Sequence, residues 1–295
     1  MAQGNSCEPH NIFFIQNTEA RIIAFVNSAV VLFCSILTLF AILKFQCLRT
    51  KLNAIIASQA VNHVLIALLV PVFEVATISQ PDRSGANFFC KCKHSAISFV
   101  LQCSILHQVA ISSERYLAVM YPLQYILWFT TRALLTVLTC IWGVSCVLSI
   151  AQILFIDDLE DVHSVCIAPW EYIVIFVSPQ YILVNTFMFY INFTILKEVR
   201  KQRKVDTVLQ SIGNKTYPHN LKAVKLVMLT LVAFVCLWTP LVLYELLCGV
   251  EAVQCNRTVN SIVFTFCLLH PNANFFVYVV NNKDFKLTFA KIFHC

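Results

Sequence analysis

Arg115 is a permanent cation at one end of an apolar stretch long enough to cross a bilayer. The stretch runs from Cys90 to Pro122 and reads CKCKHSAISFVLQCSILHQVAISSERYLAVMYP. A helix of ~20 apolar residues spans the hydrocarbon core of a membrane. A cation at such a place marks either function or an arginine that snorkels to the lipid headgroups. Glu114 offers the opposite charge, but adjacent helix positions do not face each other, so the long Arg115 side chain must bend back to reach it. A second polar set lies near the end of the chain. His270, Asn274 and Tyr278 recur at i, i+4 and i+8, which puts them on one face of a helix. His63 and Glu74 stand eleven residues apart, close to three helical turns, and share a face in the same way. Such groups can pair, exchange protons and hold small polar ligands. They form no enzyme signature: the chain has no His-Glu-x-x-His, and its five glycines build no phosphate-binding loop.

The elements that must position these residues are membrane helices. Of 295 residues 59% are hydrophobic and only 12% charged, with a mean hydropathy of +0.74. A soluble domain of this size is far less apolar. Apolar segments fall at about 22–45, 52–79, 88–120, 131–156, 170–197, 221–249 and 257–281, followed by an amphipathic stretch from Asn282 to His294. The expectation is an all-α membrane protein, a seven-transmembrane helix bundle (22–281). An N-terminal tail (1–21) precedes it and a short amphipathic eighth helix (282–295) follows. The tail lacks the basic start and short apolar core of a cleaved signal peptide, so the first span is expected to act as its own insertion signal.

Lys and Arg set the orientation. With the N-terminus outside, the inner loops collect Lys44, Arg49, Lys51, Arg132, the cluster from Lys197 to Lys204, Lys215, Lys222, Lys225 and the final lysines. The outer side keeps Arg21, Arg83, Lys91, Lys93 and Arg257. The acids Asp157, Asp158, Glu160, Asp161 and Glu171 crowd the second outer loop. A plasma-membrane protein with its N-terminus extracellular and its C-terminus cytoplasmic is expected.

Several short motifs appear in order along these segments. They are Leu48-Arg49-Thr50-Lys51-Leu52-Asn53, Cys90 with Glu114-Arg115-Tyr116, Trp142, Phe234 with Trp238 and Pro240, Asn274-Phe275-Phe276-Val277-Tyr278, and Asn282-Lys283-Asp284-Phe285-Lys286. In this set the chain resembles a rhodopsin-like (class A) G-protein-coupled receptor along nearly its whole length. The resemblance implies a receptor that binds an extracellular ligand in the outer half of the bundle and activates a heterotrimeric G protein inside. It implies coupling through Glu114, Arg115, Tyr116 and Tyr278, and an activation switch built from Phe234, Trp238, Pro240 and Asn274. The family's second restraint on Arg115 is an acid at the inner end of helix six, and here Asn220 stands in its place.

The helix-two position at which the family carries a sodium-binding aspartate is His63. With Ser104, His270 and Asn274 it makes an altered ion pocket, and Ser35 stands where helix one usually has Asn. Sodium needs oxygen ligands with negative charge nearby. The expectation is therefore insensitivity to sodium and, because histidine titrates near neutral pH, a response to acidification. Two buried neutral histidines with purely structural hydrogen bonds are the plainer alternative. Phe275 replaces the family's proline, which predicts a straighter seventh helix.

Ligand-pocket candidates are Glu74, Ile97, Leu101, Trp238, Leu241, Glu245 and Phe264. Ile97 replaces the aspartate of biogenic-amine receptors, and Leu268 replaces the retinal lysine of opsins. Glu74, Glu245 and the acidic loop predict a ligand with positive charge or several hydrogen-bond donors. Cys7, Cys90, Cys92, Cys166, Cys248 and Cys255 fall on the oxidising side. The resemblance implies a Cys90–Cys166 bridge. Cys248 and Cys255 are close enough in sequence for a local one, and Cys7 and Cys92 stay unassigned. Asn256-Arg257-Thr258 is an outward-facing glycosylation sequon, and Cys295 is a palmitoylation candidate. No cofactor, metal or nucleic acid is expected. A transporter should show broken paired helices or repeat symmetry, and neither is visible. The remaining alternatives are a receptor-like seven-helix protein with weakened or lost signalling, and a chemosensory receptor.

Overall fold

The computed structural model describes residues 18–79, 86–153, 178–211, 221–250, 252–254, 256–281 and 283–293. Over the described residues the apolar segments, together with the short stretches Pro122–Trp128 and Lys283–Phe293, are helical, and a helix is the one open-ended structure that satisfies its own backbone N–H and C=O groups in hydrocarbon. In chain order these are α1 (Thr18–Lys44), α2 (Lys51–Ser79), α3 (Ala86–Met120), α4 (Pro122–Trp128), α5 (Thr131–Ile153), α6 (Ser178–Ser211), α7 (Leu221–Gly249), α8 (Arg257–Cys267), α9 (His270–Asn281) and α10 (Lys283–Phe293). Among the described residues seven spans are long and apolar enough to cross a membrane, the seventh made of α8 and α9 together. The architecture is the expected seven-helix bundle with a short amphipathic final helix.

Local chemistry sets the ends. Arg49 donates Nη2 to the Leu43 carbonyl (2.5 Å), closing the end of α1. The Thr50 hydroxyl accepts Asn53 N (3.2 Å), while Asn53 Nδ2 donates to Leu48 O (2.8 Å), so the Arg-Thr-Lys-Leu-Asn run starts α2. Pro122 opens α4, where a missing N–H costs nothing. Asn256 caps α8 by accepting Thr258 N (2.8 Å) and Val259 N (3.3 Å). α6 extends to Ser211, past the expected limit at 197, because the charged run after Lys197 continues the helix beyond the apolar segment.

α3 is the central post. It packs against α2, α5, α6 and α7, and 67% of its apolar window is buried, against 22% for α5 at the rim. Helices in lipid gain little from hydrophobicity and are joined by close packing and polar contacts. Asn62 Nδ2 on α2 donates to Val100 O (2.8 Å) and Ser104 Oγ (2.9 Å) on α3. Gln108 on α3 donates to Thr230 Oγ1 on α7 (2.9 Å), and Gln102 on α3 exchanges hydrogen bonds with Gln180 on α6.

The seventh span departs from expectation. It is interrupted at Leu268–Leu269, between α8 and α9, while α9 itself runs unbroken through Phe275. The local cause is Pro271, which has no N–H to offer the preceding turn.

Candidate functional site

At the end of α3 the Arg115 side chain does bend back. Its Nε donates to Glu114 Oε2 (2.5 Å) and its Nη2 to Oε1 (2.6 Å), a two-pronged ion pair. Glu114 is buried, whereas the Arg115 side chain keeps 16% of its surface exposed. Tyr125 on α4 donates its hydroxyl to Glu114 Oε1 (2.6 Å) and stacks on Phe129 (5.5 Å between ring centres). Burial first, and then the bond to the Glu114 carboxylate, hold the Tyr125 phenol above its ordinary range, so it stays a donor at any physiological pH. Tyr116 points to Tyr121, with ring centres 6.3 Å apart. Tyr278 on α9 reaches Gln59 Oε1 on α2 through a long hydroxyl contact of 3.4 Å. Asn220 lies outside the described residues.

In the middle of the bundle the expected switch residues meet. Phe234 is fully buried and lies 5.4 Å from Trp238 and 5.3 Å from His270, ring centre to ring centre. Trp238 is 6.4 Å from His270. Pro240 sits inside α7, just beyond Trp238. His270 and His63 stand edge to face at 6.3 Å, and His270 Nε2 is 3.2 Å from Asn274 Nδ2. Beside His63 lies a small cavity lined by Cys34, Ser35, Gln59, His63, Asn274 and Tyr278, among others. It offers about 10 Å³ to the centre of a water molecule, room for one water at most. Gln59 Nε2, His63 Nε2 and Asn274 Oδ1 make no hydrogen bond within the protein. The donor set is neutral and carries no anion. Ser104, expected in this pocket, is instead bonded to Asn62. The α1 residues Cys34, Ser35 and Thr38 line the cavity.

Towards the opposite end, Ile97, Leu101, Trp238, Leu241 and Phe264 pack into one apolar cluster. Trp238, Leu241 and Glu245 recur at i, i+3 and i+7, so Glu245 shares their inward face, and it is buried. Its Oε1 has no hydrogen-bond partner. Glu74 is different. Its Oε1 accepts Lys93 Nζ at 3.0 Å, both side chains are almost wholly buried, and Arg21 Nε lies 3.8 Å from Oε2. Glu74 therefore does not supply the uncompensated negative charge that its sequence position suggested.

The seven spans, the paired arginine and the core in which aromatic rings meet His270 edge to face fit one comparison. The sequence matches the family described as 7 transmembrane receptor (rhodopsin family) over residues 35–278. The chain belongs to this family of receptors. The match begins at Ser35 and ends at Tyr278, the helix-one and helix-seven positions assigned above. Octopamine receptor beta-2R of Chilo suppressalis is 23% identical over 301 residues, covering 88% of this chain and 76% of its own length. Histamine H2 receptor of Rattus norvegicus is 26% identical over 268 residues, covering 84% and 72%. Dopamine receptor 3 of Caenorhabditis briggsae is 28% identical over 141 residues, 47% of this chain, and only 23% of that protein's length is matched. The protein is a multi-pass membrane receptor and not an enzyme.

Three parts of the receptor's site escaped sequence reasoning. Lys93 was counted only by its side of the membrane, although its spacing to Ile97 and Leu101 (i, i+4, i+8) places it on their inward face. Ser58 on α2 receives Trp142 Nε1 (3.0 Å) and pairs with His107 Nε2 (2.9 Å), which gives the helix-four tryptophan a definite polar anchor. Tyr125, three residues after the helix-opening Pro122, carried no signal of its own. Of the cysteines, Cys7, Cys166, Cys255 and Cys295 lie outside the described residues, as does the side chain of Cys90. The expected bridges and the palmitoylation site therefore fall there.

Proposed function

We propose that this receptor carries an extracellular signal across the plasma membrane to a heterotrimeric G protein. On this reading the N-terminus is extracellular and the C-terminus cytoplasmic, as the Lys and Arg distribution supports. The observation that carries the proposal is the Arg115 end of α3. A cation is held back by Glu114, which Tyr125 holds in turn, beside the basic end of α6 with Arg200 and Lys201. Released from that grip in an opened bundle, Arg115 can meet a helix of the G protein laid into the groove. Arg115→Ala is expected to reduce nucleotide exchange to the rate of the G protein alone while leaving ligand binding largely intact. Wild-type exchange from that variant would remove the reading.

The ligand site is assigned to the apolar cluster of Ile97, Leu101, Trp238, Leu241 and Phe264 with Glu245 as its acid. Glu74 is neutralised by Lys93, so, among the described residues, the acid left without a partner to meet a ligand is Glu245. A ligand with a positive charge or several hydrogen-bond donors, attached to an apolar body, suits this set. Ile97 is buried and apolar, so an amine of the kind named in the octopamine and histamine relatives would need Glu245 as its counter-charge. A hydrogen bond to a charged group is worth about 1.5–3 kcal/mol, roughly a 10- to 100-fold change in affinity. For an agonist found by screening amines, nucleosides, lipids and peptides, Glu245→Gln is expected to weaken binding by that factor. A tight anionic agonist indifferent to Glu245→Gln would refute the assignment.

The cavity beside His63 suits a neutral water and not sodium, since it supplies amide, imidazole and hydroxyl groups but no carboxylate. Agonist affinity is expected to stay unchanged when sodium chloride is replaced by choline chloride at constant ionic strength. His63→Asp should introduce sodium dependence. A clear sodium effect in the unmodified receptor would contradict this view of the pocket.

A further inference from the structure

The seventh span is interrupted where it passes α1, and an α1 side chain bridges the interruption. Pro271 has no N–H, so the Cys267 carbonyl loses the donor it would have in a continuous helix. Leu269 N turns back to Phe266 O (3.1 Å), and regular bonding resumes where Ala273 N donates to Leu269 O (3.1 Å). Carbonyls displaced by such a break at membrane depth find no water and must be satisfied by the protein. Asn27 does this for Leu268: its Nδ2 donates to the Leu268 carbonyl at 2.7 Å. Its Oδ1 simultaneously accepts Asn272 Nδ2 at 2.6 Å. Asn27, Leu268 and Asn272 are all buried. One amide thus grips the turn that follows α8 and the first turn of α9, using its donor on one and its acceptor on the other. Leucine could do neither, and aspartate would keep the acceptor while setting a negative charge against a carbonyl.

We propose that Asn27 is the positioning residue of the seventh span. Its two hydrogen bonds fix the height and rotation of α9 relative to α1, and so fix where the His270–Asn274–Tyr278 face meets α2 and α7. The bearing on signalling rests on the reading of that face as part of the activation switch; the two hydrogen bonds do not. Asn27 carries no part of the family resemblance, whose polar position on α1 falls at Ser35.

The test is amide hydrogen exchange on the full receptor in lipid nanodiscs, which needs no ligand. Asn27→Leu is expected to speed exchange of the Leu268, Leu269 and Ala273 amides by about tenfold, the size of one net hydrogen bond. The amides of α3 and α5 should not change. Pro271→Ala returns the missing N–H, and in that background Asn27→Leu should have less than about a threefold effect. Faster exchange spread evenly over all helices, no change between Leu268 and Ala273, or an equal effect with Pro271→Ala would each overturn the proposal. Should Asn27→Leu fail to fold, Asn272→Leu removes only one of the two bonds, and its smaller effect must be confined to the same amides. Basal nucleotide exchange by the same variants separates the two layers. A local exchange effect without any change in nucleotide exchange would leave the clamp standing and remove α9's face from the switch.

Discussion

Lys93→Met is expected to abolish most surface expression of the receptor. The substitution leaves Glu74 buried between α1, α2 and α3 with, among the described residues, the more distant Arg21 at 3.8 Å to balance it. Breaking a buried pair by removing one partner costs about 3–5 kcal/mol, because the remaining charge is stranded. That is a large share of the ~5–15 kcal/mol by which a typical domain is stable. The double variant Lys93→Met with Glu74→Leu removes both charges and should recover most of the loss, since apolar replacement of a buried pair is often close to neutral. Cell-surface labelling and the melting temperature of the purified protein would read both effects. Normal expression of Lys93→Met would show that the pair does not hold these helices together. A double variant no better than the single would point to Lys93 acting through other partners.

The second large effect concerns basal signalling. Glu114→Gln removes the carboxylate that holds Arg115 through two hydrogen bonds. Charge-assisted hydrogen bonds contribute about 1.5–3 kcal/mol, so the balance between held and released arginine should shift by roughly 10- to 100-fold. Basal nucleotide exchange should rise accordingly. Tyr125→Phe removes one neutral donor to the same carboxylate and should raise it only by a few-fold. The order Glu114→Gln above Tyr125→Phe above wild type is the signature of a chain in which Tyr125 steadies Glu114 and Glu114 steadies Arg115. The reverse order would mean that Tyr125 acts by another route.

Much of this site was legible from residue types and spacing. The apolar runs gave the spans because hydrocarbon tolerates few alternatives to a helix. The Glu114–Arg115 pairing followed from the reach of an arginine side chain. Trp238 and His270 were each legible as inward-facing, but their contact through Phe234, which joins the switch to the ion pocket, shows only in the structure. What escaped depended on which face met which across the bundle. Lys93 looked like one more outer-side cation until α2 placed Glu74 opposite it. Ser104 looked like an ion-pocket residue, yet Asn62, one position before His63, claims it. In the seventh span the proline missing at Phe275 drew attention, and the proline present at Pro271, next to the interruption at Leu268–Leu269, carried no signal of its own. Asn27 stood out in no pattern, because its role exists only where α1 and the interrupted helix come together.

On the proposed function, the receptor promotes nucleotide exchange through Arg115. The most direct measurement is guanine-nucleotide exchange on a heterotrimeric G protein by the purified receptor in nanodiscs, using Glu114→Gln to raise the signal without a ligand. Exchange should rise above the rate of the G protein alone, and should be lost when Arg115→Ala is added to the same variant. Exchange at the rate of the G protein alone in Glu114→Gln, across the G-protein classes, would contradict this reading.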